Sequence, residues 1–399
     1  MDWITGICLL LVCIFLYPYL DFSLGRYIHR KRETRRRYPL RKGQLQLITN
    51  GADLYKNYFD DLRKSTSTIH ILFYIVKDDR FSAAFFDVLK EQAQKGVQVR
   101  LLLDWFGSRN VPKKWISEAR DLGIKIEFCH RPHFPFYFFT LQQRNHRKIT
   151  IIDGKIGYLG GYNIGKEYID LDPKLSPWRD YHIRITGESV ADIQQEFLID
   201  WKRATHADVN ADPISFSDQP ENMEHYLFPS EGIDVEEKLV QLMEKAQKTV
   251  IIGTPYFVPP KRLFTAIEAA LTRGVSVSVL VPEKSDHPIV KEASFRYLKR
   301  VLAGGGTVYQ FQHGFFHAKV IVIDGLICDI GTANFDRRSI LLNHEINCFI
   351  YDRAFIADVE EALAEDIRHS TKLTLEGLKK VRGFARVKAW IGKLVEGLL

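Results

Sequence analysis

From about residue 44 onward, short apolar stretches rich in β-branched residues alternate with longer segments whose apolar positions recur every three to four residues. The short stretches predict strands over 69–76, 97–104, 124–128, 148–152 and 155–159; the longer ones predict helices over 51–64, 80–95 and 112–121. Beyond about 222 the same order returns. Strands are predicted over 249–254, 275–281, 307–312, 318–323 and 326–330, and helices over 234–247, 260–273 and 288–303. Local echoes support the repeat: Lys95-Gly96-Val97 matches Arg273-Gly274-Val275, and Tyr74-Ile75-Val76 matches Tyr256-Phe257-Val258. The pattern predicts two duplicated α/β domains, 45–209 and 223–370, joined by an Asp/Pro/Ser-rich linker over 210–222.

The two ends follow other rules. Residues 3–20 carry no charge and are mostly apolar, and such a helix reaches about 27 Å, enough for a thin bilayer. A signal peptide has positive charge in front and a small-residue cleavage site behind. Here Asp2 is in front and the basic residues follow, so the prediction is an uncleaved, single-pass transmembrane anchor over 1–25 with a basic linker over 26–44. Basic residues behind the span place residues 26–399 on the cytoplasmic side of the cell membrane. At the other end, 371–399 is a basic amphipathic tail. Phe384, Val387, Trp390, Ile391, Leu394 and Leu398 share one helical face, which suits either the membrane interface or docking on the protein's own surface.

Composition sharpens this picture. With 399 residues, 46% hydrophobic and 26% charged, the chain is neither disordered nor a coiled coil. Its five cysteines lack metal-site spacing and form no disulfide framework. The net charge is +7, but residues 22–45 and 371–399 hold more than this excess, leaving the body acidic. A nucleic-acid groove places its basic residues on the folded body. Basic flanks instead fit an anionic membrane surface, so the membrane is the expected partner and nucleic acid is not.

The sharpest feature is a second repeat inside the first. His146, Lys148, Asp153, Gly160 and Asn163 recur as His317, Lys319, Asp324, Gly331 and Asn334, each 171 positions later (146 to 317, 148 to 319, 153 to 324, 160 to 331, 163 to 334). Residues two apart on a strand share a face, so each His points the same way as its Lys. Asp153-Gly154 and Asp324-Gly325 read as tight turns, and Gly160 and Gly331 let the chain approach closely so that the asparagines reach the same place. If the halves pack face to face, two imidazoles, two ammonium groups and two amides converge into a pocket for a phosphodiester anion. That set contains no carboxylate cluster suited to Mg²⁺ or Ca²⁺.

The stretches NHRKITIIDGKIGYLGGYNIGKEY, PWRDYHIRITG and HAKVIVIDGLICDIGTANFDRRSILLNHEIN resemble the phospholipase D superfamily, whose HKD motif appears here twice, and within it the bacterial cardiolipin synthases. The resemblance covers roughly 45–370. It implies paired phospholipase D-like α/β/α sandwich domains with the site between them, and metal-free, cofactor-free chemistry through a phosphohistidine. The implied catalytic residues are His146, Lys148, Asp153, His317, Lys319 and Asp324, with Asn163 and Asn334 binding phosphate. It also implies an acid behind each histidine, by position Asp180 for His146 and Glu345 for His317. By analogy His146 is the nucleophile and His317 the acid–base group; the residues themselves leave this open. The chain departs from the common pattern in having one apolar span where many members have two.

The expected function is therefore a membrane-anchored phosphatidyltransferase that joins two phosphatidylglycerols into cardiolipin and releases glycerol. A hydrolase of phospholipid or nucleic acid, and a lipid-binding protein without activity, are the alternatives. Asp153 and Asp324 also suit a purely structural turn. His130 and His133 lack clustered metal-ligand partners in sequence. The aromatic run Phe134, Phe136, Tyr137, Phe138, Phe139 and the pair Phe315-Phe316 suit either core or an acyl-chain rim.

Overall fold

The computed structural model describes residues 3–33, 35–210, 222–286 and 288–380, the side chains of 4–13, 15, 288, 289, 379 and 380 excepted. Among these residues the two halves build one mixed sheet of 16 strands. From its outer edge inward, the first half runs Lys125–Cys129, Gln98–Asp104, Thr68–Phe73, Ile149–Ile152, Ile156–Gly160, Trp178–Gly187 and Arg41–Asn50. The second half repeats this order with Thr307–Phe311, Ser276–Pro282, Thr249–Gly253, Val320–Ile323, Ile327–Gly331, His344–Ile350 and Met223–Glu231. In each half the three outer strands are parallel and the rest antiparallel. The outer strands feed the helices Arg80–Gln94, Lys113–Asp121, Lys261–Thr272 and Pro288–Ala303, which cover the sheet.

The halves meet edge to edge rather than face to face, because Arg41–Gly43 pairs with Met223–His225 and makes the sheet continuous. Two further contacts stitch the seam. Phe315 and Phe316 pair in parallel with Trp178 and Arg179, and Asn145 bridges to His344. The strands Thr68–Phe73, Ile149–Ile152, Val320–Ile323 and His344–Ile350 are buried along their whole length, so they lack the period-two alternation of a half-exposed strand.

The first helix, α1 (Trp3–Arg32), crosses the expected boundary at 25 without a break. Its later half packs on the short helix Tyr137–Gln142: Phe22 and His29 contact the ring of Phe139, whose N–H donates to Asp21 at 2.8 Å. A Cβ on Gly25 would collide with Phe136 and Phe139, so only glycine allows this approach. The basic segment is not a free linker either. Arg36 binds Glu196 and Glu231, Arg41 binds Asp192, and Arg35 binds Asp234. The expected transmembrane anchor falls largely on side chains outside the described ones, and among the described residues no helix is long and apolar enough to cross a membrane. The linker over 211–221 and the tail from 381 also lie outside the described residues.

The two repeat aspartates have a structural place. Asp153 (φ 53°) and Asp324 (φ 55°) are left-handed residues at hairpin turns, each followed by a left-handed glycine. The Asp153 carboxylate accepts from the N–H groups of Thr66, Ser67 and Thr68 at 2.8–2.9 Å, and that of Asp324 from Gln247, Lys248 and Thr249 at 2.7–2.9 Å. They tie the turn to the chain entering the neighbouring strand, and neither lines the catalytic cavity. This corrects their assignment to the catalytic set.

Burial raises the pKa of Asp324, but the three amides outweigh it and hold the carboxyl below its usual value. Its stabilisation is therefore present above the unfolded value of about 3.9 and is lost as pH falls through the lower folded value. Asp153→Ala and Asp324→Ala should each lower stability by about 1–3 kcal/mol in thermal unfolding while the folded fraction keeps its turnover. Loss of turnover in fully folded protein would restore them to the catalytic set.

Candidate active site

The seam brings both repeat histidines to one cavity of about 660 Å³. His146, Asn163, His317 and Asn334 all line it. The hairpins place them, because each His-x-Lys segment leads into an inner strand and each Gly-x-x-Asn leaves the return strand. A Cβ on Gly160 would lie 2.5 Å from the His182 Cα, and one on Gly331 2.6 Å from the Asn347 Cα. Glycine at both positions thus permits close packing beneath the asparagines.

Each histidine is held by an acid, but not by the one expected. His146 Nδ1 lies 2.9 and 3.0 Å from the carboxylate oxygens of Glu345. His317 Nδ1 lies 2.6 Å from Asp180 Oδ2. The pairing is crossed, each half orienting the imidazole of the other. The reason is the seam: the His146 N–H donates to the His344 carbonyl (2.9 Å), and the His317 N–H to the Arg179 carbonyl (2.7 Å). Each motif segment therefore lies alongside the acid-bearing strand of the opposite half. A carboxylate on Nδ1 fixes the ring and leaves Nε2 for chemistry.

The acids are fully buried, and their surroundings differ. Thr332 donates its hydroxyl to Glu345 at 2.6 Å. At the matching position Gly161 leaves room for Asp180, whose oxygens a Cβ there would strike. Burial raises the pKa of both acids, but His146 and Lys148 beside Glu345, and Lys319 and His317 beside Asp180, outweigh it and keep both ionised.

The lysines lie beneath the histidines. Lys148 Nζ donates to the His146 carbonyl at 2.6 Å, while Lys319 Nζ lies 2.5 Å from His317 Nδ1 and 3.4 Å from Asp180. Burial lowers Lys148 to about 7 and lowers Lys319 as well. Burial also lowers both histidines; His317, next to Lys319, falls to about 4. The free site thus holds fewer protons than exposed lysines and histidines would, and it gains positive charge as an anion enters. Asn163 is pre-oriented, accepting from the Ile75 N–H at 3.1 Å and donating to the Tyr168 hydroxyl at 3.2 Å.

Most of the remaining lining was not legible in the repeat. Tyr74 packs edge-on to His146 at 4.9 Å between centroids, and Trp178 packs against His317 at 4.8 Å. Phe106, Leu141 and Val290 give an apolar wall, while Arg144, Arg338, Asp286 and Asp336 bring charge. Tyr256 donates to Asp286 at 2.6 Å, and burial raises Asp336 to about 6. Tyr74 and Tyr256 were marked by the local echo of the repeat, whereas Phe106, Arg144, Asp286, Asp336 and Arg338 carried no such signal. Of the aromatic candidates, Phe139, Phe315 and Phe316 are core, while Phe134 is 76% exposed and stacks on Tyr137.

His130 does gain neighbours that sequence spacing could not show: Asp104, Cys129 and His130 cluster, as do Asp200, Glu231 and His344. In the first group Asp104 is engaged by Arg144 and three backbone amides; in the second, Arg147 and Arg203 hold the carboxylates.

An anion entering this cavity raises the pKa of every base facing it. At pH 8 Lys148 is largely neutral in the free protein, so binding a soluble phosphodiester such as glycerophosphoglycerol should take up protons. Calorimetry in buffers of different ionisation enthalpy should show uptake approaching one proton at pH 8 and less at pH 6. Binding without proton uptake at pH 8 would contradict the low lysine pKa.

Comparison with known proteins agrees with this geometry. The family model described as the PLD-like domain of cardiolipin synthase matches residues 58–201 and 239–367. The chain is 39% identical over 98% of its length to the minor cardiolipin synthase ClsB of Bacillus subtilis, covering 98% of that protein. It is 34% identical over 89% of its length to a cardiolipin synthase of Staphylococcus aureus, covering 73% of that protein. The crystal structure of phosphatidylserine synthase from Haemophilus influenzae shares the fold, with a TM-score of 0.72 at 17% identity over 90% of this chain and 97% of that one. The chain belongs to the cardiolipin synthase family of phospholipase D-like phosphatidyltransferases.

Proposed function

We propose that this enzyme joins two phosphatidylglycerols into cardiolipin and glycerol through a phosphatidyl-histidine intermediate. The observation that carries the reading is the pair of crossed imidazole–carboxylate contacts opening on one cavity. One histidine Nε2 attacks phosphorus and the P–O bond to the head-group glycerol breaks. The other histidine gives that oxygen its proton. A second phosphatidylglycerol then brings its head-group hydroxyl, which loses its proton to the same histidine as its oxygen attacks phosphorus and frees the first imidazole. Lys148, Lys319, Asn163 and Asn334 meet the non-bridging oxygens as charge builds.

Family analogy makes His146 the nucleophile and His317 the acid–base group. Burial and Lys319 keep free His317 unprotonated at neutral pH, so its first role needs the anion of bound substrate to raise its pKa. The substrate class is supported by the apolar wall beside the charged floor and by the names of the relatives. The membrane reading is supported by the uncharged stretch over 3–20, with exposed Leu16, Tyr17, Tyr19 and Leu20, and by the basic residues that follow it. In this reading the segment over 1–25 spans the cell membrane once and the catalytic halves face the cytoplasm. Acceptance of a lipid hydroxyl over water, at about 55 M in bulk, follows if the apolar wall keeps the cavity dry.

Purified protein in phosphatidylglycerol vesicles should yield cardiolipin and glycerol, with less phosphatidic acid than cardiolipin. Phosphatidic acid as the dominant product at every lipid density would make the enzyme a hydrolase. His146→Ala and His317→Ala should each abolish turnover in folded protein. Activity should survive EDTA, since the lysines and histidines supply the positive charge; loss on chelation restored by Mg²⁺ would contradict that.

A further inference from the structure

The first motif differs from the second at its middle residue. Arg147 stands where the second copy has Ala318, and both are fully buried. Ala318 belongs to an apolar cluster with Val320 and Ile346. Arg147 instead reaches away from the cavity into a buried ion cluster that the reaction does not use. Its Nε donates to the Glu345 carbonyl at 3.1 Å, and its terminal nitrogens reach Asp200 at 2.7 Å, Glu196 at 3.1 Å and the Ser230 carbonyl at 3.3 Å. One guanidinium thus joins the chain between His146 and Lys148 to the backbone of the acid that orients His146.

The same cluster receives the end of α1. Arg36 donates to both oxygens of Glu196 at 2.7 and 3.0 Å and also binds Glu231. Arg203 bridges Glu231 at 2.7 Å and Glu33 at 2.9 Å. His29 of α1 contacts the Glu231 carbonyl at 2.7 Å, and Tyr38 donates to Glu196 at 2.9 Å. Asp200 closes the loop by accepting from Asn145, the residue before His146, at 2.9 Å. A continuous chain of polar and charged contacts, exposed at Arg203 and fully buried at Arg147, therefore runs from α1 to the first half-site, and the second half-site lacks its central member.

We propose that Arg147 is a positioning residue that transmits the seating of α1 to the alignment of His146 with Glu345. Four acceptors around a planar guanidinium set the position of the Glu345 main chain relative to His146. The consequence is one-sided: at the second half-site Ala318 packs in an apolar cluster where Arg147 would stand, and Asp180 is held by Lys319 and the Tyr181 N–H rather than through α1. The inference rests on the two-histidine reading, so it is tested first on the resting protein without substrate.

The test is a pH titration of histidine ¹⁵N signals in full-length protein in lipid nanodiscs, with kcat and KM measured on phosphatidylglycerol. Arg147→Lys keeps a buried positive charge beside Asp200 but cannot hold all four acceptors. It should shift the titration of His146, leave that of His317 in place, and lower kcat about tenfold or more at unchanged KM. Arg36→Gln, at the α1 side, should shift His146 the same way by less, and it decides the matter alone if Arg147→Lys does not fold. Equal displacement of both histidines, or no displacement of His146 in a folded variant, would overturn the proposal. Displacement of His146 alone with no turnover in the unaltered protein would sink the lipid-transfer reading and leave this one standing.

Discussion

The structure depends on one interaction made twice: a buried imidazole held at Nδ1 by a buried carboxylate from the opposite half. An isolated buried carboxylate is strongly disfavoured, and so is a buried imidazolium. Here each acid is kept charged by the cations around it, and each imidazole is kept neutral by burial. Neither half alone could complete such a pair. The edge-to-edge seam, the stitching by Phe315-Phe316 and Asn145, the largely buried strand Trp178–Gly187 and the fully buried strand His344–Ile350 all serve to keep these partners in register.

Crossing has a chemical consequence. A two-step transfer needs two imidazoles facing one phosphorus from opposed directions, each with a fixed tautomer. When the orienting acid comes from the other half, any slip between halves disturbs both rings. The chemistry is tied to assembly of the seam, and the low-pKa lysines beneath add charge only as the anion arrives. The halves are not identical in this task. Glu345 is braced by the Thr332 hydroxyl, whereas Asp180, one methylene shorter, is admitted by Gly161 and shares His317 with Lys319.

Much of this was legible in the sequence, for physical reasons. The two-residue period of His-x-Lys on a strand, the Asp-Gly turns and the returning glycines follow from backbone geometry, and the repeat located all of them. The helices and outer strands came from simple periodicity, with observed bounds such as Arg80–Gln94 and Lys261–Thr272 close to those expected. The acid residues were found but joined to the wrong histidines, because distance along the chain favours the same half while hydrogen bonding across the seam favours the other. The strand that carries Glu345 is buried on both faces and so lacks the alternation that marks a half-exposed strand. The continuation of α1 onto Tyr137–Gln142, and the pairing of half-buried Arg36 and buried Arg147 with carboxylates, were hidden because a basic residue in sequence looks the same whether it faces lipid or buried acids.

Double-mutant cycles on the unfolding free energy of full-length protein in detergent micelles test the crossed pairing most directly. His146→Ala with Glu345→Gln, and His317→Ala with Asp180→Asn, should show coupling of about 1 kcal/mol or more. His146→Ala with Asp180→Asn, and His317→Ala with Glu345→Gln, should be additive within about 0.5 kcal/mol. Coupling confined to the two same-half pairs would contradict the crossed arrangement.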